Sequence, residues 1–173
     1  GALQPIFAES FEEEIIDISI PTDSNGQEHL AILTTTDLQL VDTSDNSVSF
    51  LDLNSNSSVV ASSGSLVAVS EKSESGPLVN ITSIDSELTI SIALDPRSSE
   101  RIEASIVNSG TYLDFQNSTI VDLVMDSNWL VATVDVGPFN RTILVDTLSI
   151  NQTLISNPRW DSSSPSIGEG RVA

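Results

Sequence analysis

Hydrophobic and polar residues alternate along most of this chain, in short runs separated by turn-forming residues. Three runs share one pattern, since residues 30–33, 66–69 and 130–134 each follow a turn and precede a second alternating run. Alternation with a period of two predicts β-strands that bury one face. Because the pattern recurs, we predict repeated β-sheet units that stack against one another to bury their apolar faces.

The alternating runs predict three units of four strands each, and no convincing helix. The best helical candidate, residues 9–16, is barely two turns long and continues into alternating isoleucines. The predicted strands are residues 15–20, 29–35, 38–43 and 48–53 in the first unit; 58–62, 66–71, 78–84 and 88–94 in the second; and 120–125, 129–135, 142–147 and 153–156 in the third.

The spacing of the units predicts an insertion between the second and the third. Leu66 follows Leu30 by 36 positions, but Leu130 follows Leu66 by 64. A propeller blade takes roughly 40–50 residues, so the longer interval needs extra chain, which residues 95–117 supply. Within this insertion, Ile102-x-x-x-Ile106 and Tyr112-Leu113-x-Phe115 predict an extra hairpin or part of a degenerate unit.

Each unit has a third strand that ends in an aliphatic residue, an Asp and a Thr or Ser. An Asp at this position favours a turn, because its side chain accepts a hydrogen bond from a nearby backbone amide. The three occurrences are Val41-Asp42-Thr43, Ile84-Asp85-Ser86 and Val145-Asp146-Thr147.

The C-terminal residues 157–173 have the pattern of another unit that is beginning, with Pro165-x-Ile167-x-x-Gly170 before a short strand. With the Val-Asp-Thr hairpins, this segment resembles the β-propeller repeats of microbial cell-surface and periplasmic proteins, of the TolB-like and surface-layer type. The resemblance covers residues 15–173 in architecture and short stretches in motif. It implies binding or scaffolding, with no common catalytic residues.

We therefore expect an all-β, propeller-like array of four-stranded antiparallel blades, about three plus a partial one. Residues 1–14 are expected to be an N-terminal segment or a strand that completes another blade, residues 15–156 the repeat domain, and residues 157–173 the start of a further blade. Closed propellers have four to eight blades. The array is thus expected to belong to a larger propeller or to be completed by other chains. The alternative is a β-sandwich, which has short strands at similar spacing.

Charge narrows the range of partners. The chain has 25 Asp and Glu against 6 Lys and Arg, a net charge of −19, and Lys72 is its one lysine. Nucleic acid is not expected as a partner, because phosphate binding needs clustered basic residues and these are scattered. The acidic, lysine-poor composition resembles that of halophilic or marine microbial proteins, archaeal surface proteins among them. No apolar run approaches the roughly 20 residues of a membrane span, so membrane insertion is not expected.

Five Asn-x-Ser/Thr sequons and the absence of cysteine fit an extracellular or cell-surface glycoprotein without disulfides. Among the sequons, Asn80 falls inside a predicted strand, which makes it the weakest acceptor. The candidate glycosylation sites are Asn56, Asn80, Asn117, Asn140 and Asn151.

Candidate chemistry is sparse. Two turns carry oxygen ligands that suit calcium, although neither matches the twelve-residue calcium loop, and turn formation also explains them. Trp160, in a polar loop, is the candidate for an exposed ligand contact. His29, the single histidine, is interpreted as a hairpin residue, since no nucleophile motif accompanies it. The candidate calcium ligands are Asp23, Asn25, Glu28, Asp42 and Asp45.

These observations favour a non-catalytic extracellular or cell-surface domain that binds or scaffolds, with no cofactor beyond the candidate calcium. Its expected partner is a protein, a glycan or another copy of the chain. A structural subunit of a surface layer or filament is the first alternative. Part of a propeller-based hydrolase is the second.

Overall fold

The computed structural model describes residues 13–51, 57–168 and 171–173. The all-β prediction is confirmed: three four-stranded antiparallel sheets follow one another, and in each the strands are ordered as in the chain. Sheet 1 contains β1 (Ile15–Ser19), β2 (His29–Thr34), β3 (Leu38–Asp42) and β4 (Val48–Leu51). Sheet 2 contains β5 (Val60–Ser63), β6 (Leu66–Ser73), β7 (Gly76–Ser83) and β8 (Thr89–Ala93). Sheet 3 contains β9 (Thr119–Asp126), β10 (Trp129–Asp135), β11 (Asn140–Asp146) and β12 (Asn151–Leu154).

All twelve predicted strands are present, with ends that differ from the prediction by at most two residues. A short antiparallel hairpin of β13 (Ile167–Gly168) and β14 (Arg171–Val172) follows sheet 3. Residues 1–12, the greater part of the expected N-terminal segment, lie outside the described residues. Within the described part of the chain, no helix is long and apolar enough to span a membrane.

The prediction of a hairpin in the insertion is wrong. The insertion instead contains a helix, α1 (Glu100–Asn108), in which Ile106 is buried and Ile102 packs against the same core. Residues four apart lie on one face of a helix, so the Ile102-x-x-x-Ile106 spacing was a helical signal. Ser99 occupies the N-cap position, and acidic Glu100 and Glu103 in the first turn suit the positive end of the helix dipole.

The core lies between the sheets, and sheet 2 is covered on both faces. On one face, Val67 and Val69 of β6 pack with Leu33 of β2 in a cluster shared with sheet 1. On the other face, Ala68 and Ile81 pack in a larger cluster shared with sheet 3 and α1. Because strand residues alternate between faces, one strand serves both clusters.

The sequence pattern aligns Leu66 with Leu30 and Leu130 in the spacing of the units. The structure shows that this alignment is shifted by one residue at Leu66. Leu66 packs in the cluster between sheets 2 and 3, whereas Leu130, at the same place in the motif, points from sheet 3 back toward sheet 2. A shift of one residue reverses the face of a strand, so Val67 is the residue that corresponds to Leu130. Leu30 also lies on the face that points away from the following sheet, opposite Val41 of β3.

Gln152 of β12 links the last strands of sheets 2 and 3. Its Nε2 donates to the carbonyl of Ala93, 2.7 Å away, and its Oε1 accepts from the N–H of Asp95 at 3.0 Å. One side-chain amide thus joins the end of β8 to the outer strand of sheet 3.

A buried ion pair fixes the insertion to sheet 3. Arg141 of β11 is 0 % exposed, and its Nη1 and Nη2 donate to the two carboxylate oxygens of Glu103 on α1, at 2.7 and 3.2 Å. The same nitrogens donate to the carbonyls of Pro96 and Pro158 at 2.9 and 2.8 Å. The ring of Phe115 lies 5.4 Å from the guanidinium carbon. One side chain therefore joins the loop before α1, the helix and the segment after sheet 3.

Replacing this arginine should destabilise the fold strongly. We expect Arg141→Met to lower the free energy of unfolding by about 3–5 kcal/mol, because the Glu103 carboxylate and two carbonyls lose their donor in a buried site. Urea unfolding followed by circular dichroism measures the loss. Arg101→Met, on the exposed side of α1, is the matched control and should change stability by less than about 0.5 kcal/mol. Equal losses in the two variants would contradict the role given to the pair.

The same pair predicts a pH dependence. Burial alone would raise the pKa of Glu103, but hydrogen bonds from Arg141 and Ser98 outweigh burial and hold it below its ordinary value of 4.5. A carboxyl with a lowered folded pKa stabilises the fold above its unfolded pKa, and this contribution is lost as the pH falls through the folded pKa. Urea midpoints between about pH 5 and pH 3 should therefore fall less steeply in Glu103→Gln than in the parent chain. Parallel curves would exclude this contribution.

Candidate binding site beside the first strands

The first strands of the three sheets lie side by side, with β1 beside β5 and β5 beside β9. Each of these strands is an edge strand of its sheet. Side chains of the neighbouring sheet form hydrogen bonds with some of the backbone N–H and C=O groups that an edge strand leaves unpaired. Asp17 of β1 accepts from the N–H of Val60 at 2.9 Å. Ser58, just before β5, donates to the carbonyl of Ile120 in β9 at 3.1 Å. The first strands are thus joined by side chains and remain in separate sheets.

A cavity of about 640 Å³ opens where these strands begin. Its volume lies within the range typical of small-ligand sites. Hydroxyl-bearing and aliphatic side chains line it, together with one carboxylate and one ammonium group. We name this space the first-strand cavity; it is lined by Ile16, Thr35, Ser57, Ser58, Val59, Ser70, Glu71, Lys72, Thr119, Ile120 and Val121.

The wall formed by β6 is held rigidly. Ser70 is buried, and its Oγ accepts from the backbone N–H groups of Ser58 and Val59 at 3.0 and 2.9 Å. Glu71, only 7 % exposed, accepts a hydrogen bond from Nδ2 of Asn80, and Oδ1 of Asn80 accepts from Ser91 at 2.6 Å. The wall is therefore preorganised rather than assembled on binding.

Lys72 is exposed beside the buried Glu71 and supplies the positive charge of the cavity. Its charge reaches the neighbouring loop, where the pKa of Asp114 is lowered chiefly by hydrogen bonds from Asn117 and, to a smaller extent, by Lys72. In a chain with 25 acidic residues, this placement gives the cavity a local cation that most of the surface lacks.

Asp122, next to cavity residue Val121, lies in β9 near Asp17 of β1. Burial raises the pKa of Asp122 above its ordinary value of 3.8, and the negative charge of Asp17 adds to the shift. At neutral pH the ionised carboxylate of Asp122 is therefore less favourable in the folded chain than in water, and its charge lowers the stability of the fold.

The candidate calcium ligands lie in two turns and act there as turn formers. Oδ1 of Asp23 accepts from the N–H groups of Asn25 and Gln27, both at 2.8 Å. Oδ1 of Asp42 accepts from the N–H of Ser44 at 2.7 Å.

Two further candidates lie in the same turns. Oδ1 of Asp45 accepts from Ser47 at 2.8 Å, and Glu28 is exposed. No group of three or more acidic or histidine side chains suited to a metal ion occurs in residues 13–51, 57–168 and 171–173. Calcium binding remains a prediction.

His29 begins β2, and its Nε2 lies 3.6 Å from Oδ2 of Asp23. The structure thus places the histidine at the first residue of the strand, directly after the turn in which Asp23 lies. Trp160 is exposed in the segment after sheet 3, away from the first-strand cavity.

The sequons differ in accessibility. Asn117 and Asn151 are exposed, whereas Asn140 is half-buried at the start of β11. Asn80 has both ends of its amide hydrogen-bonded in sheet 2. Asn56 lies outside the described residues.

Sequence reasoning missed the first-strand cavity and the buried Arg141. The cavity is formed by residues from three units, so no local pattern marks it. Arg141 lies just before the predicted strand of residues 142–147, and the structure extends this strand back to Asn140, which places Arg141 at a buried position. A charged residue there requires a buried partner.

No protein-family model matches the chain, and no curated protein matches it.

Neutralising Asp122 should stabilise the fold. A carboxyl with a raised folded pKa costs stability as the pH rises above its unfolded pKa, so Asp122→Asn should raise the urea midpoint at pH 7. The gain should shrink as the pH falls toward the ordinary value of 3.8. Glu74→Gln, in an exposed turn, removes the same charge and controls for overall repulsion. An equal gain in the control would attribute the effect to net charge alone.

Proposed function

We propose that this chain is a non-catalytic binding or scaffolding domain of β-propeller type, located outside the cell or at the cell surface. Its partner is a protein or a glycan. The first-strand cavity is the binding site, and the sheets are the scaffold that holds it.

One observation carries the proposal: the first strand of each sheet lies beside the first strand of the next, and β13 lies beside β9 in the same manner. Stacked four-stranded meanders that meet along their first strands are what a propeller requires around its axis. The hairpin of β13 and β14 supports assigning residues 157–173 to the start of a further blade. In this arrangement the first-strand cavity lies at one end of the propeller axis.

The cavity chemistry favours a polar ligand with apolar patches. Hydroxyl groups of Ser58 and Thr119 can exchange hydrogen bonds with a glycan or a peptide backbone, while Ile16 and Val59 offer apolar contact. Lys72 favours a ligand that also carries a negative group.

The surface supports an extracellular location. Exposed Asn117 and Asn151 are available for glycosylation, and the high net negative charge suits a solvated outer surface in a saline medium.

A structural subunit of a surface layer or filament is the second candidate function. The observation that favours it is the exposed apolar side chains of sheet 1, among them Phe50 and Ile18. Exposed apolar patches mark contact surfaces.

The binding site can be tested by nuclear magnetic resonance titration with neutral and acidic oligosaccharides and short peptides. We expect a subset of these probes to shift the amide signals of residues 57–59, 70–72 and 119–121. Val121→Trp, which fills the rim of the cavity, should weaken that binding at least about tenfold, because lining contacts set the affinity of such sites. Leu148→Trp, in an exposed turn of sheet 3, is the control and should bind as the parent chain does.

Two results would contradict the proposal. Shifts confined to other surfaces would remove the cavity as the binding site. Reproducible turnover of a probe, lost in His29→Ala, would replace the non-catalytic assignment with a hydrolase.

A further inference from the structure

The turns between the third and fourth strands of the three sheets share one backbone feature. Each has one residue in a left-handed conformation, whose N–H donates to the carbonyl four residues earlier at 2.8–2.9 Å. Sheets 1 and 2 place polar residues at this position, Asn46 with φ +61° and Glu87 with φ +56°. Sheet 3 places Ile150 there, with φ +59°. A β-branched residue rarely adopts this conformation, so the turn of sheet 3 is strained.

The turn of sheet 3 also presents two aliphatic side chains to solvent. Leu148 is 76 % exposed and Ile150 is 52 % exposed. Asp146 holds the turn, since its Oδ1 accepts from the N–H of Leu148 at 3.1 Å and its Oδ2 accepts from Oγ of Ser149 at 2.6 Å. We name residues 146–150 the apolar turn.

The turn of sheet 1 shows that the fold does not need these side chains. Oδ1 of Asp42 accepts from the N–H of Ser44 at 2.7 Å, as Asp146 does from Leu148. The corresponding residues of sheet 1 are therefore Ser44 in place of Leu148 and Asn46 in place of Ile150. Backbone strain that the fold does not require points to a function. Exposed aliphatic side chains point to contact with another molecule.

A groove of about 480 Å³ opens on the same sheet, between β11 and residues 155–173. None of the residues that line it is charged, and its aliphatic walls include Leu144, Ile155 and Val172. Its hydroxyl groups bond within the fold: Oγ of Ser156 accepts from the N–H of Thr142 at 2.9 Å, and Thr142 shares a hydrogen bond with Ser162. The space we name the C-terminal groove therefore offers mainly apolar contact.

We propose that the apolar turn of one copy of this chain inserts Leu148 and Ile150 into the C-terminal groove of a second copy. At roughly 30 Å³ for each carbon atom, the volume of a water molecule in the liquid, the two side chains fill about half of the groove. Each copy carries both parts on sheet 3, so two copies can exchange their turns around a two-fold axis. This inference goes beyond the proposed function and does not involve the first-strand cavity.

Charge favours a second copy as the occupant of the groove. The apolar turn is acidic, because hydrogen bonding, chiefly from Ser149, lowers the pKa of Asp146 and keeps its carboxylate ionised at neutral pH. Residues 155–173 contain two acidic and two basic residues, so the net charge of −19 comes from the rest of the chain. Arg171, beside groove residue Val172, is exposed and forms no ion pair within the described part of the chain. An acidic turn thus meets a neutral segment with an available cation.

Sedimentation equilibrium of the full chain tests for association. We expect the mass to rise with concentration from that of one copy toward that of two. Because each copy carries a net charge of −19, overall repulsion opposes association at low ionic strength. Salt shortens the range of this repulsion to about 3 Å at 1 M, so association should strengthen as salt is added.

A double variant, Leu148→Ser with Ile150→Asn, gives the apolar turn the residues of the sheet 1 turn. It should weaken association at least about tenfold, because it removes the apolar area that the contact buries. It should also raise the urea midpoint, because it removes the strain at residue 150. Leu88→Ser removes a leucine that is 73 % exposed in the corresponding turn of sheet 2, and this control should associate as the parent chain does.

A mixture of variants tests which surfaces meet. Val172→Asp places a charge in the groove and should also weaken association at least about tenfold. This groove variant, mixed with the double variant of the turn, should associate more tightly than either variant alone. The reason is that the intact turn of one variant fits the intact groove of the other. Circular dichroism checks that both variants are folded.

Several results would overturn the inference. They are a mass of one copy at every concentration and salt level, association unchanged in the turn variant, or a mixture that associates no more tightly than its components. A lower urea midpoint in the turn variant would also overturn it, since Leu148 and Ile150 would then stabilise their own copy. A mass of one copy, with a ligand still bound at the first-strand cavity, would overturn this inference alone. Association without ligand binding would contradict the proposed binding site alone.

Discussion

Burial of both faces of sheet 2 is the constraint on which the rest of the structure depends. Val67 and Ala68 are consecutive residues of one strand, and each is fully buried in a different inter-sheet cluster. A four-stranded meander with two apolar faces cannot be stable in water until both are covered. Sheets 1 and 3 supply the cover, so the three units are expected to fold as one cooperative body rather than as independent repeats.

The strands could be predicted from the sequence because alternation is a local property, readable over a few residues. The helix was missed because Ile102 and Ile106 are its main apolar contacts, and two residues do not make a convincing period. Leu66 was aligned with Leu130, although the structure places the two on opposite faces of their strands, because the motif resembles its neighbours when shifted by one residue. The partners Arg141 and Glu103 are 38 positions apart, and only the fold brings them together. Non-local contacts of this kind also form the candidate site.

Polar side chains along the first strands let the sheets pack closely without merging. Asp17 and Ser58 bind backbone groups that a neighbouring strand would otherwise bind. Ser63 makes a comparable contact, since its Oγ accepts from the N–H of Ser127 at 2.8 Å. The sheets therefore remain distinct at these edges, and the cavity opens between their beginnings. The abundance of serine, which carried no information in the sequence, has a structural use at these positions.

The link made by Gln152 has a consequence for the chemical ageing of the protein. An amide can donate to the carbonyl of Ala93 and accept from the N–H of Asp95 at once, because it carries both kinds of group. Deamidation to a carboxylate would leave two oxygens in its place, one of them facing a carbonyl oxygen. In an aged molecule, sheets 2 and 3 would then lose contact first between β8 and β12, while the contacts along their first strands, β5 and β9, remain.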